Sequence, residues 1–377
     1  NYAGNGYRPP GSSFKPYTLA TVLTQTLHQA IGKAHYAVDS KVNGSQCVTI
    51  EGTKICNDPG DRSVSAPLVT ILTAMKYSLN TTFDLLASQA GPDNVAAIAH
   101  KMGIAETDFH GNKTLEDENG VTNFGIGIGD YPVSPLDQAV GFATLANKGT
   151  RNDPYLVAKA TASDGEVLYE HKAEPQHALS PKVANDVTLS LEPVAAASGT
   201  GLQLAGGRVS AAKTGTEGIG LKTTDNSDAW MVGYTPQVST AVWFGTGYSR
   251  PIYNSAGAPM YGADEPGKTW QMFMDIYLDG TPKLPMAKYP MISPDGSIRG
   301  PEPTRSPTPT YSAPSSSERP VPTFSITTGF PSPSSPPVSS LPPPPSSSAP
   351  PSSPSVPSSP TGTCTGLIRF GCHTPGG

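Results

Sequence analysis

A sharp change in composition near residue 290 limits how much of this 377-residue chain can fold around a core. The chain has 41 prolines, and most of the excess over an average protein lies after residue 290. Residues 300–363 are dominated by proline, serine and threonine, with few apolar side chains and no periodicity. Such a segment buries too little apolar surface to offset the entropy lost on ordering. The sequence therefore predicts a folded domain over residues 1–290, a disordered linker over 291–363 and a short tail over 364–377.

Charge and hydropathy exclude several classes of partner. The formal net charge is -5 at pH 7, and the sequence has no basic run or basic stripe. Binding to nucleic acid or to an anionic membrane surface is therefore not expected. No stretch reaches the roughly 18 apolar residues that a membrane helix needs, and no signal peptide precedes the first motif. Because the chain begins at Asn1, eleven residues before a helix start, we expect it to be the C-terminal piece of a longer protein.

The four cysteines form two close pairs, Cys47 with Cys56 and Cys364 with Cys372. The first pair encloses "CVTIEGTKIC", in which the alternation and the central Gly52 are typical of a hairpin. No pair has C-x-x-C spacing, and the seven histidines form no H-E-x-x-H pattern, so no metal site is predicted. We predict two local disulfides and an oxidising compartment outside the cytoplasm. Four free thiols are the alternative.

The first motif of chemical interest is "PGSSFKP", where a loop turns into a helix. Pro10 and Gly11 are turn formers, and apolar residues then recur at helical spacing up to Gly32, which places Ser12 at or beside an N-cap. A serine at this position often does no more than cap the helix. The chemical alternative is that residues three apart share a helix face, so that the amine of Lys15 reaches the hydroxyl of Ser12 and takes its proton.

The second motif, "YSLNTTF", lies between a helix predicted over residues 68–75 and another over 83–91. Ser78 and Asn80 are two residues apart, so a tight turn can point both polar groups the same way. The hydroxyl would then carry a proton, and the amide would clamp a peptide group. The alternative is that these two residues only cap the second helix.

The third motif is "GGRVSAAKTGTEG". A strand is predicted over residues 209–212 and is closed by residues 213–216, and two further strand-like runs, "DAWMVGYTP" and "STAVWFGTG", complete an antiparallel meander. Gly215 allows another backbone to approach the strand edge, and the edge amides can bind an extended peptide. Lys213 with the hydroxyls of Thr214 and Thr216 can hold an anion. A surface turn is the alternative.

The remaining regular patterns are predicted to support the core. A helix is predicted from Pro135 to Gly149, and two strands are predicted around a turn at residues 164–165. In a last helix, four large apolar residues share one face and are predicted to pack against the sheet: Trp270, Phe273, Met274 and Tyr277.

Taken together, S-x-x-K, S-x-N and K-T-G in this order resemble the transpeptidase domain of penicillin-binding proteins, specifically the class A, bifunctional members. The resemblance runs from about residue 10 to about residue 278 and includes "SPLDQAVGFATLANKGT", "DAWMVGYTP" and "VWFG". It implies an α/β fold of the α+β type, with an antiparallel sheet flanked by helices as in serine β-lactamases. Class A members also carry an upstream membrane helix, a glycosyltransferase domain and sheet strands that this sequence lacks, so the sheet loses a neighbour on one side.

The resemblance also implies a role for each motif residue. Ser12 would be the nucleophile and Lys15 its base, and burial together with the charge of Lys213 would lower the lysine pKa from its usual value near 10.4. Ser78 would relay a proton to the leaving D-alanine, and Asn80 would hold the substrate backbone. The terminal carboxylate would bind the third motif: Lys213, Thr214 and Thr216. The amides of Ser12 and Thr216 would form the oxyanion hole.

The function implied is a peptidoglycan D,D-transpeptidase that cross-links stem peptides through a serine acyl-enzyme and is acylated by penicillins and other β-lactams. No metal or organic cofactor is implied. The expected location is the outer face of the bacterial cell membrane, with the anchor upstream of this chain. The proline-rich tail would either be a passive spacer or recruit cell-wall or divisome proteins.

Three alternatives remain. A class A serine β-lactamase would need a glutamate that starts an E-x-x-L-N run, and none of the glutamates between Asn80 and Lys213 does so. A D,D-carboxypeptidase uses water instead of an amine as the acceptor. A non-catalytic β-lactam sensor would be acylated once and would then signal.

Overall fold

Groups of helices and groups of strands alternate along the chain. The computed structural model describes residues 1–196, 199–220, 225–286, 288 and 291–299. The helices are α1 (Tyr2–Asn5), α2 (Lys15–Leu27), α3 (Ile71–Lys76), α4 (Asn80–Ala90), α5 (Pro92–Met102), α6 (Pro135–Ala146), α7 (Pro181–Ala195) and α8 (Glu265–Leu278). The strands are β1 (Lys41–Gly44), β2 (Cys47–Ile50), β3 (Thr53–Cys56), β4 (Ala66–Thr70), β5 (Thr150–Arg151), β6 (Lys159–Thr161), β7 (Val167–Glu170), β8 (Gln176–His177), β9 (Ala211–Gly218), β10 (Asn226–Tyr234), β11 (Ser239–Gly245), β12 (Met291–Ile292) and β13 (Ile298–Arg299).

The predicted antiparallel meander is confirmed as a sheet in the order β11, β10, β9. Strand β9 is longer than predicted, because residues 213–216 lie within it rather than in a turn that closes it. Lys213 is paired with Val232 and Thr216 with Ala229, so the ladder continues through the motif. The surface-turn alternative for the third motif is therefore wrong. Among the described residues, β11 pairs with β10 along one edge and with no strand along its other edge.

Side chains alternate across the central strand and so divide the core between the two faces of the sheet. On one face, Trp230, Val232 and Tyr234 join a large core with α2, α6 and α7. On the other face, Met231 packs with Trp270 and Met274 of α8. The rest of the predicted apolar stripe of α8 is different, because Phe273 and Tyr277 are exposed and stack on each other.

The first predicted helix has different limits in the structure. Gly11–Phe14 form a 3-10 turn, α2 begins at Lys15, and it ends at Leu27 rather than near Gly32. The N-cap position of α2 is Phe14, so the prediction that Ser12 is at or beside the N-cap is wrong. The turn is closed by a bond from Ser13 N to Pro10 O instead. Ser12 is thus held one turn before the regular helix.

The region between α2 and α4 contains the predicted hairpin. Strands β2 and β3 pair antiparallel, and Cys47 and Cys56 are joined as a disulfide. The helix predicted over residues 68–75 is half wrong, because residues 66–70 form β4, which pairs with β1. Helix α3 starts only after Thr70, whose hydroxyl caps it by accepting a bond from Thr73 N.

The remaining predicted elements are present with small shifts. Helix α6 begins at Pro135 as predicted, behind a capping box of Ser134 and Asp137, and ends at Ala146. Strands β6 and β7 pair around the turn at residues 164–165. No helix of the described residues is long and apolar enough to cross a bilayer.

The described part of the chain continues beyond the boundary predicted at residue 290. Strands β12 and β13 form a hairpin, and Ile292 is fully buried in the main core. Arg299 makes two bonds to the carboxylate of Asp39. The folded residues therefore continue to residue 299. The rest of the predicted linker, 300–363, and the predicted pair Cys364 and Cys372 lie outside the described residues.

Candidate active site

The candidate nucleophile Ser12 lies against the amine of Lys15. Ser12 is in the 3-10 turn, and Lys15 is the first residue of α2. Lys15 Nζ is 2.9 Å from Ser12 Oγ, and the whole lysine side chain is buried. The predicted contact between residues three apart is therefore present.

The turn of the second motif surrounds the same amine. Lys15 Nζ lies 2.5 Å from Ser78 O, 3.1 Å from Ser78 Oγ and 2.7 Å from Asn80 Oδ1. Ser78 has a φ of 59°, a backbone conformation that few residues other than glycine adopt. The N-cap position of α4 is Leu79, without a side-chain capping bond, so the alternative that Ser78 and Asn80 cap this helix is wrong.

The third motif adds a second buried lysine. Lys213 extends from β9, and its Nζ donates to Ser78 Oγ at 2.7 Å. A weaker bond of 3.3 Å goes to Thr214 O. Ser78 Oγ thus lies between two amines, which come from elements far apart in the sequence.

Burial lowers the pKa of both lysines. The pKa of Lys15 is well below its usual value, first because the amine is desolvated and second because Lys213 places another positive charge nearby. Burial likewise lowers the pKa of Lys213 to about 7, and the carboxylate of Asp61 opposes this shift. The site therefore favours a neutral amine at Lys15.

The acceptors around Lys15 show what a neutral amine can do. A neutral amine has two N–H groups and one lone pair. Ser78 O and Asn80 Oδ1 can only accept hydrogen bonds, so they take the two N–H groups. The lone pair then remains for a hydroxyl, and Ser12 Oγ is the nearest one at 2.9 Å. This arrangement suits Lys15 to remove the proton of Ser12.

Close backbone contacts join the nucleophile turn to β9. A Cβ on Gly215 would lie 2.1 Å from Pro10 O, and a Cβ on Gly11 would lie 2.5 Å from Thr216 O. Gly11 also has a φ of 53°, which favours glycine. Trp230 belongs to the neighbouring strand β10, and its Nε1 donates to Pro9 O at 2.9 Å. The glycine of K-T-G is therefore required by the packing of two backbones.

A cleft of about 860 Å³ opens over these residues. Five of the predicted site residues line it: Ser12, Ser78, Asn80, Thr214 and Thr216. Lys15 and Lys213 are buried beneath, so the structure brings all eight predicted residues together. Thr216 Oγ1 also accepts a bond of 3.3 Å from Gly262 N.

Several residues of the cleft were missed by the sequence analysis. Asp58, Asp61, Tyr77, Asp225 and Tyr261 also line it. Asp58 and Asp61 belong to the "NDPGD" turn directly after the disulfide hairpin, and this turn signal could have placed them on a loop but not beside the lysines.

A smaller cleft of about 330 Å³ shares Ser12, Asn80 and Thr216 and also contains Asp130 and Glu217. Burial raises the pKa of Glu217 to about 8, which favours the protonated acid at neutral pH. Glu217 follows the K-T-G-T run directly, so its closeness to the site, although not its protonation, could have been anticipated.

Comparison with solved structures first defines the class of fold. Penicillin-binding protein A of Mycobacterium tuberculosis, in an imipenem acyl-enzyme complex, superposes with a TM-score of 0.57 at 23% identity and covers 73% of this chain and 61% of that chain. PonA1 of the same organism, in complex with penicillin V, gives a TM-score of 0.68 at 36% identity, covering 80% of this chain and 77% of that chain. The fold is that of the α/β penicillin-binding transpeptidases, as the sequence predicted.

Comparison with families and relatives then defines the family. The model of the penicillin binding protein transpeptidase domain matches residues 1–257. Penicillin-binding protein 1A of Mycolicibacterium smegmatis is 40% identical over 280 residues, which are 72% of this chain and 34% of that protein. The same protein of M. tuberculosis is 40% identical over 279 residues, 72% of this chain and 32% of that protein. This chain belongs to the penicillin-binding protein transpeptidase family, and it spans about a third of the length of these relatives.

Proposed function

We propose that this chain is a D,D-transpeptidase that cross-links peptidoglycan stem peptides through an acyl-enzyme on Ser12. The observation that carries the proposal is the contact of 2.9 Å between Lys15 Nζ and Ser12 Oγ, in a site where burial favours the neutral amine. The identity with penicillin-binding proteins 1A supports the same reaction class.

In the first step, Lys15 takes the proton of Ser12, and Ser12 Oγ attacks the carbonyl carbon of the D-Ala-D-Ala bond. Lys213, Thr214 and Thr216 hold the terminal carboxylate at the edge of β9. The negative charge that develops on the carbonyl oxygen is stabilised by the amides of Ser12 and Thr216. The close contact between Gly11 and Thr216 supports this assignment, because it fixes the two segments relative to each other.

In the second part of the acylation, the C–N bond breaks and D-alanine leaves. Its amine needs a proton, and the protonated Lys15 can supply one through Ser78 Oγ, which is 3.1 Å away. Lys213 Nζ lies 2.7 Å from the same oxygen. Its positive charge favours movement of the proton away from Lys15 and toward the departing amine. Asn80 holds the substrate backbone as well as the amine of Lys15.

In the deacylation, an amine of a neighbouring stem peptide attacks the ester of Ser12. The neutral Lys15 removes the excess proton from this amine and returns it to Ser12 Oγ as the ester bond breaks. The products are the cross-linked peptide and the free serine. A water molecule in place of the amine would make the same site a carboxypeptidase.

We also propose that β-lactams acylate Ser12 and that the chain acts outside the cytoplasm. Penicillin V bound to PonA1 supports the first proposal, because that protein is 36% identical to this chain. The disulfide between Cys47 and Cys56 supports the second, since disulfides persist in oxidising compartments.

The test is intact-mass spectrometry of the protein after incubation with penicillin V, followed by peptide mapping. We expect one adduct on Ser12 that persists for hours, and no adduct on a Ser12→Ala variant. Rapid loss of the adduct would instead indicate a β-lactamase. No adduct on a sample shown to be folded by circular dichroism would refute the proposal.

A second measurement separates the acceptors. The protein is incubated with a stem pentapeptide, with and without a stem-peptide amine, and the products are identified by mass. A cross-linked product is expected, whereas hydrolysis alone would indicate a carboxypeptidase, and acylation by penicillin without any peptide turnover would favour a sensor.

A further inference from the structure

Helix α4 carries Asn80 of the candidate active site at its first position and lacks a capping bond from its own N-cap residue. It begins at Asn80, and the side chain of Leu79 at the N-cap position makes no capping bond. Leucine offers no acceptor, so the first N–H groups of the helix need one from elsewhere. The flanking residues cannot serve, because the side-chain oxygens of Ser78 and Asn80 contact Lys15 instead.

Asn57 supplies the missing acceptor from another part of the chain. Its Oδ1 accepts from Thr81 N at 3.0 Å and from Thr81 Oγ1 at 3.1 Å. Thr81 is the second residue of α4, which is a position that a capping side chain normally bonds. Asn57 is 24 residues away in the sequence and only 3% exposed.

The other atoms of Asn57 are held firmly. Its Nδ2 donates to Ser45 O at 3.1 Å and to Ser65 Oγ at 3.0 Å. Its backbone N donates to Gln46 O at 2.8 Å. Cys56, the residue before it, is fixed by the disulfide to Cys47. The acceptor therefore has a fixed position relative to the hairpin of β2 and β3.

We propose that Asn57 is a positioning residue, which caps α4 from outside and so holds the 78–80 turn, and through it the amine of Lys15, in place for acylation. This inference rests on the proposed function. A shift of Thr81 N would move the neighbouring 78–80 turn. This turn holds Ser78 O and Asn80 Oδ1, which accept the two N–H groups of Lys15. Looser packing there would also admit water to the amine.

The test compares three variants by the kinetics of penicillin V acylation. Asn57→Leu keeps the number and branching of the side-chain heavy atoms but removes the acceptor and both side-chain donors. Thr81→Val removes the hydroxyl bonds and keeps the backbone N–H. Asn94→Leu is the matched control, because Asn94 is an exposed residue in the first turn of α5 and its Nδ2 donates to Ala90 O, at the opposite end of α4 from Thr81.

For Asn57→Leu, we expect the acylation rate constant within the complex to fall at least about tenfold, because misplacing a catalytic group is costly. The dissociation constant of the initial complex should change by less than about threefold, since Asn57 is only 3% exposed and the other residues that line the cleft are unchanged. The acid limb of the pH profile should move to higher pH as the amine of Lys15 becomes hydrated. Thr81→Val should lose about threefold in rate, and Asn94→Leu should retain the wild-type rate.

Hydrogen exchange gives a readout that is independent of activity. In Asn57→Leu, peptides covering residues 78–83 should exchange faster, whereas those of α5 should not. A folded Asn57→Leu variant with the wild-type rate, pH profile and exchange would overturn the proposal. If that variant does not fold, an unchanged rate in Thr81→Val would overturn it. If wild-type protein is not acylated at all, the proposed function and the catalytic part of this inference both fail, and the exchange data alone decide whether Asn57 caps α4.

Discussion

Lys213 Nζ donates a hydrogen bond of 2.7 Å to Ser78 Oγ, although the two residues are 135 positions apart in the chain. Lys15 Nζ approaches the same hydroxyl to 3.1 Å. Ser78 is thus shared by two buried amines from β9 and from the start of α2. The proton transfers proposed for this site depend on that shared contact, so changes to either lysine should be visible in pH profiles.

Replacing Lys213 with methionine should move the acid limb of penicillin acylation to higher pH. Lys213 is the second cause of the low pKa of Lys15, and Lys15 acts as a base only when it is neutral. Burial is the larger cause, so the limb should remain below the ordinary lysine pKa of about 10.4. The measurement is the acylation rate as a function of pH, with Lys268→Met on the surface of α8 as the control. An unmoved limb would contradict the assignment of Lys15 as the base.

The same Lys213→Met variant should be more stable than the wild type at neutral pH. Burial lowers the pKa of Lys213 to about 7, so between pH 7 and 10.5 the unfolded chain binds a proton that the folded protein releases. Lys213 therefore costs stability near neutral pH, and this cost disappears as the pH rises through the unfolded value. We expect a gain of about 1 kcal/mol or more at pH 7.5. Urea unfolding at pH 7.5 and at pH 10 should show the larger gain at the lower pH; a loss at both would refute this account.

Gly215→Ala should disrupt the nucleophile turn. The new Cβ would lie 2.1 Å from Pro10 O, a backbone atom that cannot rotate away. We expect a loss of about 1–3 kcal/mol in the free energy of unfolding and at least about a tenfold loss in acylation. Gly218→Ala on the same strand is the control, because its nearest atom would be 3.9 Å away. Equal behaviour of the two variants would contradict the close approach.

Asp228→Ala should destabilise the protein far more than Asp39→Ala. Asp228 is fully buried and makes two bonds of 2.7 Å to the guanidinium of Arg8 and one of 2.9 Å to Trp243 Nε1. Its removal leaves a charge without its partner, which costs about 3–5 kcal/mol. Asp39 pairs with Arg299 at the surface, where the loss should be below about 1 kcal/mol. Denaturant unfolding measures both, and losses of similar size would show that burial is not decisive here.

Asp186→Asn should stabilise the protein at pH 7.5 but not near pH 4. Burial raises the pKa of Asp186 to about 6, and its Oδ2 accepts a bond of 2.9 Å from Ile292 N. Because the folded pKa lies above the unfolded value of 3.8, the wild type loses stability as the pH rises through about 6. Asparagine keeps an acceptor without the charge, so we expect a gain of about 1–3 kcal/mol at pH 7.5. A gain that is equal at both pH values would contradict the assigned pKa.

The elements that the sequence predicted best are those with strong local signals. The hairpin around Gly52 follows from alternation and a turn glycine, and helix α6 follows from Pro135 and the capping residue before it. The errors occur where a distant contact overrides such a signal. Residues 213–216 remain in a strand because β10 pairs with them, and Leu68 lies in β4 because β1 pairs with that segment.

The sequence by itself determined which side chains are the candidates for the chemistry and their order along the chain, because S-x-x-K, S-x-N and K-T-G are joint patterns of residue type and spacing. Only the tertiary structure decided how those residues act on each other. It buries Lys15 and Lys213 around one hydroxyl, which lowers the pKa of each amine, and it brings Asn57 to the uncapped start of α4. Burial and contacts between distant segments arise from packing, and no local pattern of residues contains them.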